Sequence, residues 1–327
     1  MLLTVARFEF RYLLRNPLLW LTAAATLALF VAGTSVDGFD LGSEGGLLKN
    51  AAYATLRNYV VVSVVFMFVT TSFVAGAVLR DDETGFGPII RSTGVTRLEY
   101  VVGRFLGAYA VAALCMLAVP LAVVLGPAMP WAPPAQVGPN RLVDHLYGYF
   151  LVALPNLFVH GAVLFALATI TRSMMAAYLG AVGFVAGFFA LQTGFLGWTA
   201  VAVAEPFAGR ALRDAVRYWT VAERNVLLPG LAGSLLLNRL VWVGVAGLCL
   251  ALACAAYRFA DPGMSRRERK RLKLVQAPSA EAAGAAEAAA LPAPGHGPGA
   301  GRAQLRVGPR RGGRPVVLCP AVAGVMG

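Results

Sequence analysis

Six stretches of this chain run for roughly 20 residues with almost no charge, at about 17–33, 59–79, 105–126, 146–171, 174–191 and 240–257. A helix rising about 1.5 Å per residue crosses the roughly 30 Å hydrocarbon core of a bilayer in about 20 residues. It also satisfies its own backbone, which hydrocarbon cannot do. The chain is 58% hydrophobic and only 13% charged over 327 residues, whereas a soluble domain is about 25% charged. A water-soluble fold of this size has nowhere to hide that much apolar surface. The sequence therefore predicts an all-α polytopic membrane protein with about six transmembrane helices.

The formal charge is +12. Because Arg and Lys gather in cytoplasmic loops of membrane proteins, this excess reads as a topology signal rather than as a nucleic-acid surface. Arg7, Arg11, Arg15, Arg80, Arg91, Arg97, Arg104, Arg172 and a cluster from Arg258 to Lys273 fall on one side if the N-terminus is inside. This predicts that both termini are cytoplasmic. Residues 2–16 carry Arg7, Arg11 and Arg15 at four-residue spacing, with Leu3, Phe8, Tyr12 and Leu13 loosely on another side. The pattern suits a retained amphipathic helix at an anionic membrane face better than a cleaved leader. Asn16-Pro17 then breaks that helix and starts the first span.

Several chemistries have no carrier here. All 16 acidic residues fall outside the six spans as drawn, and a proton- or sodium-coupled carrier ordinarily needs an ionisable group in the bilayer. His160 alone could serve. The three lysines, Lys49, Lys270 and Lys273, do not complete a G-x-x-x-x-G-K-[ST] phosphate cradle, and H-E-x-x-H and G-x-S-x-G are absent. The four cysteines lack metal-ligand spacing. The chain is expected not to be an enzyme, and any energy it uses must come from a partner.

Between the second and third spans, the stretch RDDETGFGPIIRSTGVTRLEYVVGRF, from Arg80 to Phe105, is crowded with charge and glycine. Thr84-Gly85, Gly87-Pro88 and Ser92-Thr93-Gly94 are breakers, and Thr96-x-x-Glu99 is a capping-box pattern. The third span is therefore expected to extend through an amphipathic turn from Thr96 to Arg104. A short folded elbow, tied rigidly to two spans, is the expectation.

These residues also carry a resemblance. FEFRYLLRNP (Phe8–Pro17), AVLRDDETG (Ala77–Gly85), STGVTRLEYVVGRFLGA (Ser92–Ala108), MPW (Met129–Trp131), ALPNLF (Ala153–Phe158), ALATITRSMMAAYLG (Ala166–Gly180), RYWTVAERN (Arg217–Asn225) and LLLNRLVW (Leu235–Trp242) occur in that order. In this the chain resembles membrane subunits of ABC-2 type transporters. It looks closest to bacterial permeases found near, or fused to, M1 aminopeptidase-like domains, and the match runs over about residues 1–260. The resemblance implies an exporter permease in the cytoplasmic (inner) membrane. Its ATP and Mg would be held on a separate ABC ATPase subunit, and its partners would be a second permease copy and membrane lipids. It further implies that the elbow contacts the ATPase, with Arg80, Asp81, Glu83, Thr84, Gly85, Arg91, Arg97, Glu99 and Arg104 as candidates. The N-terminal helix is a second contact, through Glu9, Arg11 and Arg15. Charge reversal at Asp81 or Glu83 is then expected to uncouple transport without unfolding the permease. The pathway would lie between two permeases, lined by the second and fifth spans, with Asn156, His160 and Gln192 as polar residues near it.

Between the fifth and sixth spans, two apolar runs fall short of the usual length and are broken by Pro and Gly. The resemblance implies short re-entrant helices there; two further spans, giving eight, are the alternative. Residues 261–327 are rich in Ala, Gly, Pro and Arg, a composition expected to be disordered. Other readings stay open at this point: a membrane scaffold or regulator for an ATPase or peptidase-like partner, or a truncated copy of a longer fusion. The residues do not identify a substrate.

Overall fold

The computed structural model describes residues 1–39, 45–83, 94–192 and 197–257. The side chain of Glu83, together with Thr84, Gly85, Arg91 and the tail from 261, lies outside the described residues. Among those described, every regular element is helical. The order is α1 (Leu2–Leu14), α2 (Pro17–Ser35), α3 (Ala52–Glu83), α4 (Arg97–Met116), α5 (Ala118–Leu125), α6 (Leu142–Gly148), α7 (Leu154–Thr171), α8 (Met174–Gln192), α9 (Trp198–Ala204), α10 (Gly209–Ala215), α11 (Val221–Val226) and α12 (Gly233–Ala256). Six segments are long and apolar enough to cross a membrane: α2, α3, α4 with α5, α6 with α7, α8, and α12. The two extra spans weighed for residues 192–239 do not form. That region folds into α9, α10 and α11, of 7, 7 and 6 residues.

Local chemistry sets most of the helix ends. The Asn16 side chain accepts the Leu18 N–H at 2.9 Å and Pro17 occupies the first turn, so α2 starts where its missing N–H does no harm. The Thr96–Glu99 capping box forms at the start of α4, with both reciprocal bonds present. The third span breaks at Leu117, between α4 and α5. Pro120, three residues on, has no N–H for the carbonyl four residues back. Pro155 has a similar effect on the fourth span, where a π-helical turn, Tyr149–Ala153, joins α6 to α7. Arg172 ends α7 in the left-handed region (φ 52°), and Ser173 completes a two-residue reversal into α8.

The observed helices are longer than the apolar runs. α3 has 32 residues, as does the third span counted from Arg97 to Ala128. At 1.5 Å per residue each is about 48 Å long, well beyond a roughly 30 Å hydrocarbon core. Acidic residues read as lying outside the spans therefore sit within the helices near their ends: Asp81 in α3, Glu99 in α4 and Asp144 in α6.

The spans alternate in direction and give the bundle two ends. At one end lie α1, the last turns of α3, the first turns of α4, the α7–α8 reversal and the end of α12. The Arg97 guanidinium reaches the Ala255 carbonyl (3.1 Å) and Tyr100 stacks on Tyr257 (5.2 Å). At the other end lie residues 36–39, 45–51 and 126–141, α6, and α9 to α11. There Asn50 bonds to Gly138 and Asn140, and Leu48 N–H to Asn225. The core between the ends is a continuous apolar cluster that includes Phe66, Phe73, Phe105 and Phe165.

Candidate functional site

At the first end, α1 lies lengthwise along α4. The Met1 amino group is 3.4 Å from Glu99, and Ala6 and Glu9 sit against Gly107, so both helices advance eight residues in the same direction. Two glycines one turn apart make this closeness possible. A Cβ at Gly103 would lie 2.8 Å from Val5 Cβ, and one at Gly107 would lie 2.6 Å from the Ala6 carbonyl oxygen.

Four charges are locked into this three-helix junction. Glu9 of α1 is fully buried. Arg80 of α3 grips it with two parallel bonds, at 3.1 and 3.2 Å. Arg104 of α4 bonds Glu9 with one arm of its fork and Asp81 of α3 with the other. Tyr100 donates its hydroxyl to the same Asp81 oxygen at 2.6 Å. The Arg80 guanidinium stacks over Tyr12 at 3.9 Å, and Arg104 lies between the rings of Phe8 and Tyr100 at 5.4 and 5.3 Å. Two carboxylates balance two guanidiniums, which is the condition for keeping charge out of water.

Three of the residues named as candidate ATPase contacts lie inside this junction. Glu9, Asp81 and Arg104 are 0%, 8% and 3% exposed. They face each other, so they set the shape of the junction and cannot be its contact surface. Asp81 reversal would put a like charge at Arg104's partner position and strand the guanidinium inside, so it is expected to perturb folding. Of the candidates, Arg97, Glu99, Arg11 and Arg15 remain at or near the surface. Glu99 is partly engaged by the Met1 amino group and its own cap.

The polar residues assigned to a pathway separate into two places. Asn156 is buried in a network at the opposite half of the bundle. Its amide donates to Ser63 Oγ (3.2 Å) and the Phe207 carbonyl (3.0 Å), and its oxygen accepts from Arg239 Nη1 (2.8 Å). Arg239 also donates to Asn238, whose amide in turn donates to the carbonyls of Ala202, Val203 and Glu205 and so caps α9. Glu205, fully buried, accepts from the N–H groups of Phe207 and Arg210 at 3.0 and 2.9 Å. Burial pushes the Glu205 carboxyl above its usual range, while those amides and the Arg239 charge hold it back. His160, one turn along α7 from Asn156, is fully buried beside Phe207, and neither ring nitrogen has a hydrogen-bond partner among the described residues. Gln192 is elsewhere, holding Arg210 through its side chain and its carbonyl at 2.7 and 3.0 Å.

Glu205, Asn238 and Arg239 were not singled out from sequence. Glu205-Pro206 reads as a turn, and the sixth span was drawn from 240. α12 instead starts at Gly233, which places Asn238 and Arg239 inside it. The available signal was the adjacent polar pair between LLL and LVW, a costly insertion in an apolar helix unless both find partners.

A family model described as ABC-2 family transporter protein matches residues 41–213. No curated protein sequence matches the chain. The matched segment covers α3 through most of α10, including the elbow, Asn156 and Glu205, while Asn238 and Arg239 lie beyond it. With six apolar spans and an all-helical fold among the described residues, the chain belongs to the ABC-2 family of transporter proteins, as a membrane-spanning permease.

Proposed function

We propose that this chain is the membrane half-unit of an exporter in the bacterial cytoplasmic membrane, driven by ATP hydrolysed with Mg on a separate ABC ATPase subunit. The observation that carries this reading is the charge-locked junction of α1, α3 and α4. α3 and the third span each exceed the hydrocarbon thickness by about 18 Å at 1.5 Å per residue, and four paired charges, three of them buried, and two glycine contacts tie their ends to α1. Such a unit moves as one body. A push on the exposed residues of the elbow, Arg97 and Glu99 among them, tilts α3 and α4 together and is not absorbed by a loose loop.

A second copy completes the unit. α8 is the least buried span, with 11% of its most apolar window covered. Gly183 and Gly187, one turn apart on it, have nothing near the space a Cβ would fill. Small residues one turn apart let membrane helices approach closely, so this face suits the partner permease, with α3 and α8 beside the pathway. Asn156 and His160 lie inside the protomer and act on the pathway through the packing of α7 against α3.

The test is to tag the full chain in its host, extract it gently and assay what comes with it. Co-purification of an ATP-hydrolysing subunit, weakened by Arg97→Glu while the Thr96–Glu99 cap is kept and the melting temperature holds, supports the reading. Recovery of the folded chain without any ATPase activity sinks it.

A further inference from the structure

The outer face of α1 meets the junction where Arg80 and Arg104 approach the rings of Tyr12 and Phe8. Arg7, Arg11 and Arg15 stand one turn apart along it, all exposed, with no ion pair among the described residues. The one acidic side chain of the helix, Glu9, is buried and committed to Arg80 and Arg104. Phe8 and Tyr12 alternate with the arginines and stay 58% and 47% exposed. Thr4, Arg7, Phe8, Arg11, Tyr12 and Arg15 line a shallow groove of about 450 Å³. A basic face with exposed aromatics suits a partner that is anionic and partly apolar.

Its depth indicates what. α2 has 19 residues, about 28 Å of helix, so it spans a roughly 30 Å hydrocarbon core with almost nothing to spare. The hydrocarbon therefore begins near Pro17. The indole of Trp20, exposed on the outside of α2, donates to the Leu14 carbonyl at 2.9 Å. Together with Tyr12 it marks the aromatic level of the membrane boundary. Arg15 lies two residues before Pro17, and Arg11 one turn further out. The headgroup layer on each side is about 5–7 Å thick, so at about 1.5 Å per residue Arg15, about 3 Å out, falls within it and Arg11, about 9 Å out, sits just past its outer edge, within reach of its long side chain. We propose that the outer face of α1 is a binding site for the phosphate headgroup of an anionic phospholipid, held by Arg11 and Arg15, with Arg7 at its watery edge. The planar guanidinium fork matches phosphate oxygens in pairs. Three uncompensated positive charges select a net-negative lipid over a zwitterionic one. Phe8 and Tyr12 supply apolar walls for its glycerol and upper acyl carbons.

The proposal does not depend on the exporter reading, and its test needs no ATPase. The full chain is purified in micelles containing equal phosphatidylglycerol and phosphatidylcholine, and retained lipid is counted by intact-protein mass spectrometry. Phosphatidylglycerol should be enriched by about fivefold or more. R11Q and R15Q should each lower the enrichment and R7Q/R11Q/R15Q abolish it, with R11K/R15K keeping part of it. The melting temperature in the same micelles is expected to stay unchanged, because all three side chains are exposed. Equal retention of the two lipids, or enrichment that survives the triple substitution, overturns the proposal. So does a triple variant that keeps its lipid but loses an ATP-hydrolysing partner, since the face would then dock protein.

Discussion

At the scale of single residues, Glu9 is the most constrained charge in the molecule. It accepts from two arginines on two different helices and has no exposure to solvent. Glu9→Gln keeps the shape but removes the carboxylate charge that Arg80 and Arg104 share. Removing one member of a buried ion pair costs about 3–5 kcal/mol, so a large fall in melting temperature in detergent is expected. Glu9→Ala and Arg104→Ala should be far from additive, because the second substitution removes a charge the first has already stranded. Additive losses would mean the two groups do not depend on each other.

Glu205 gives a pH signature with a definite sign. Its carboxyl is raised above the ordinary range, mainly by burial. The folded protein therefore holds the proton more tightly than the unfolded chain does. This contribution is fully present below the ordinary glutamate pKa of about 4.3 and is lost as pH rises through the folded-state value. Lowering the pH from 8 toward 5 should thus raise the melting temperature of the parent relative to Glu205→Gln, in which position 205 no longer titrates. Parallel curves for the two proteins would show that Glu205 is not shifted upward.

At the scale of elements, α1 and α4 depend on the absence of side chains at two positions. Gly107→Val would drive methyl groups into the Ala6 carbonyl and the Glu9 stem, and overpacking of this kind costs about 1–3 kcal/mol. The expected result is a chain that still inserts and keeps its helix content by circular dichroism but whose α1 becomes sensitive to limited proteolysis. Undiminished protection would mean that α1 is held by the ion cluster alone. The elements themselves were largely legible in the sequence, for a physical reason. Span length, the Asn16-Pro17 start and the Thr96–Glu99 box are local, each needing only a few neighbouring residues. The Glu9–Arg104 bond joins positions 95 apart and the Asn156–Arg239 bond positions 83 apart. No periodicity encodes such pairs, so exposed contact residues and buried lock residues look alike in the string. The same limit explains the sixth span: hydropathy dips at Asn238 and Arg239, yet the helix continues through them because α9, Pro206 and Asn156 supply their partners.

At the scale of the whole molecule, the two ends do different physical work. One end has long helices, few connections and a charge-neutral lock, and it resists deformation. The other has three short helices pinned by a buried network whose members, Glu205, Asn238, Arg239 and Asn156, come from α7, α12 and the segment between α9 and α10. If α1 and the elbow face the cytoplasm, as the arginine distribution predicts, then α10 and α11 face the opposite compartment. Leu98 at the elbow end and Tyr218 at the other are 58% and 87% exposed, so each can be replaced by cysteine with little structural cost. In a background with Cys115, Cys249, Cys254 and Cys319 replaced by alanine, a membrane-impermeant maleimide added to spheroplasts should label Tyr218→Cys and spare Leu98→Cys. Inside-out vesicles should reverse the pattern. The opposite result inverts the topology and places the charge-locked junction where no cytoplasmic ATPase could reach it. Labelling of both positions from one side would break the six-span arrangement, since 98 and 218 are separated by three spans as folded: α4 with α5, α6 with α7, and α8.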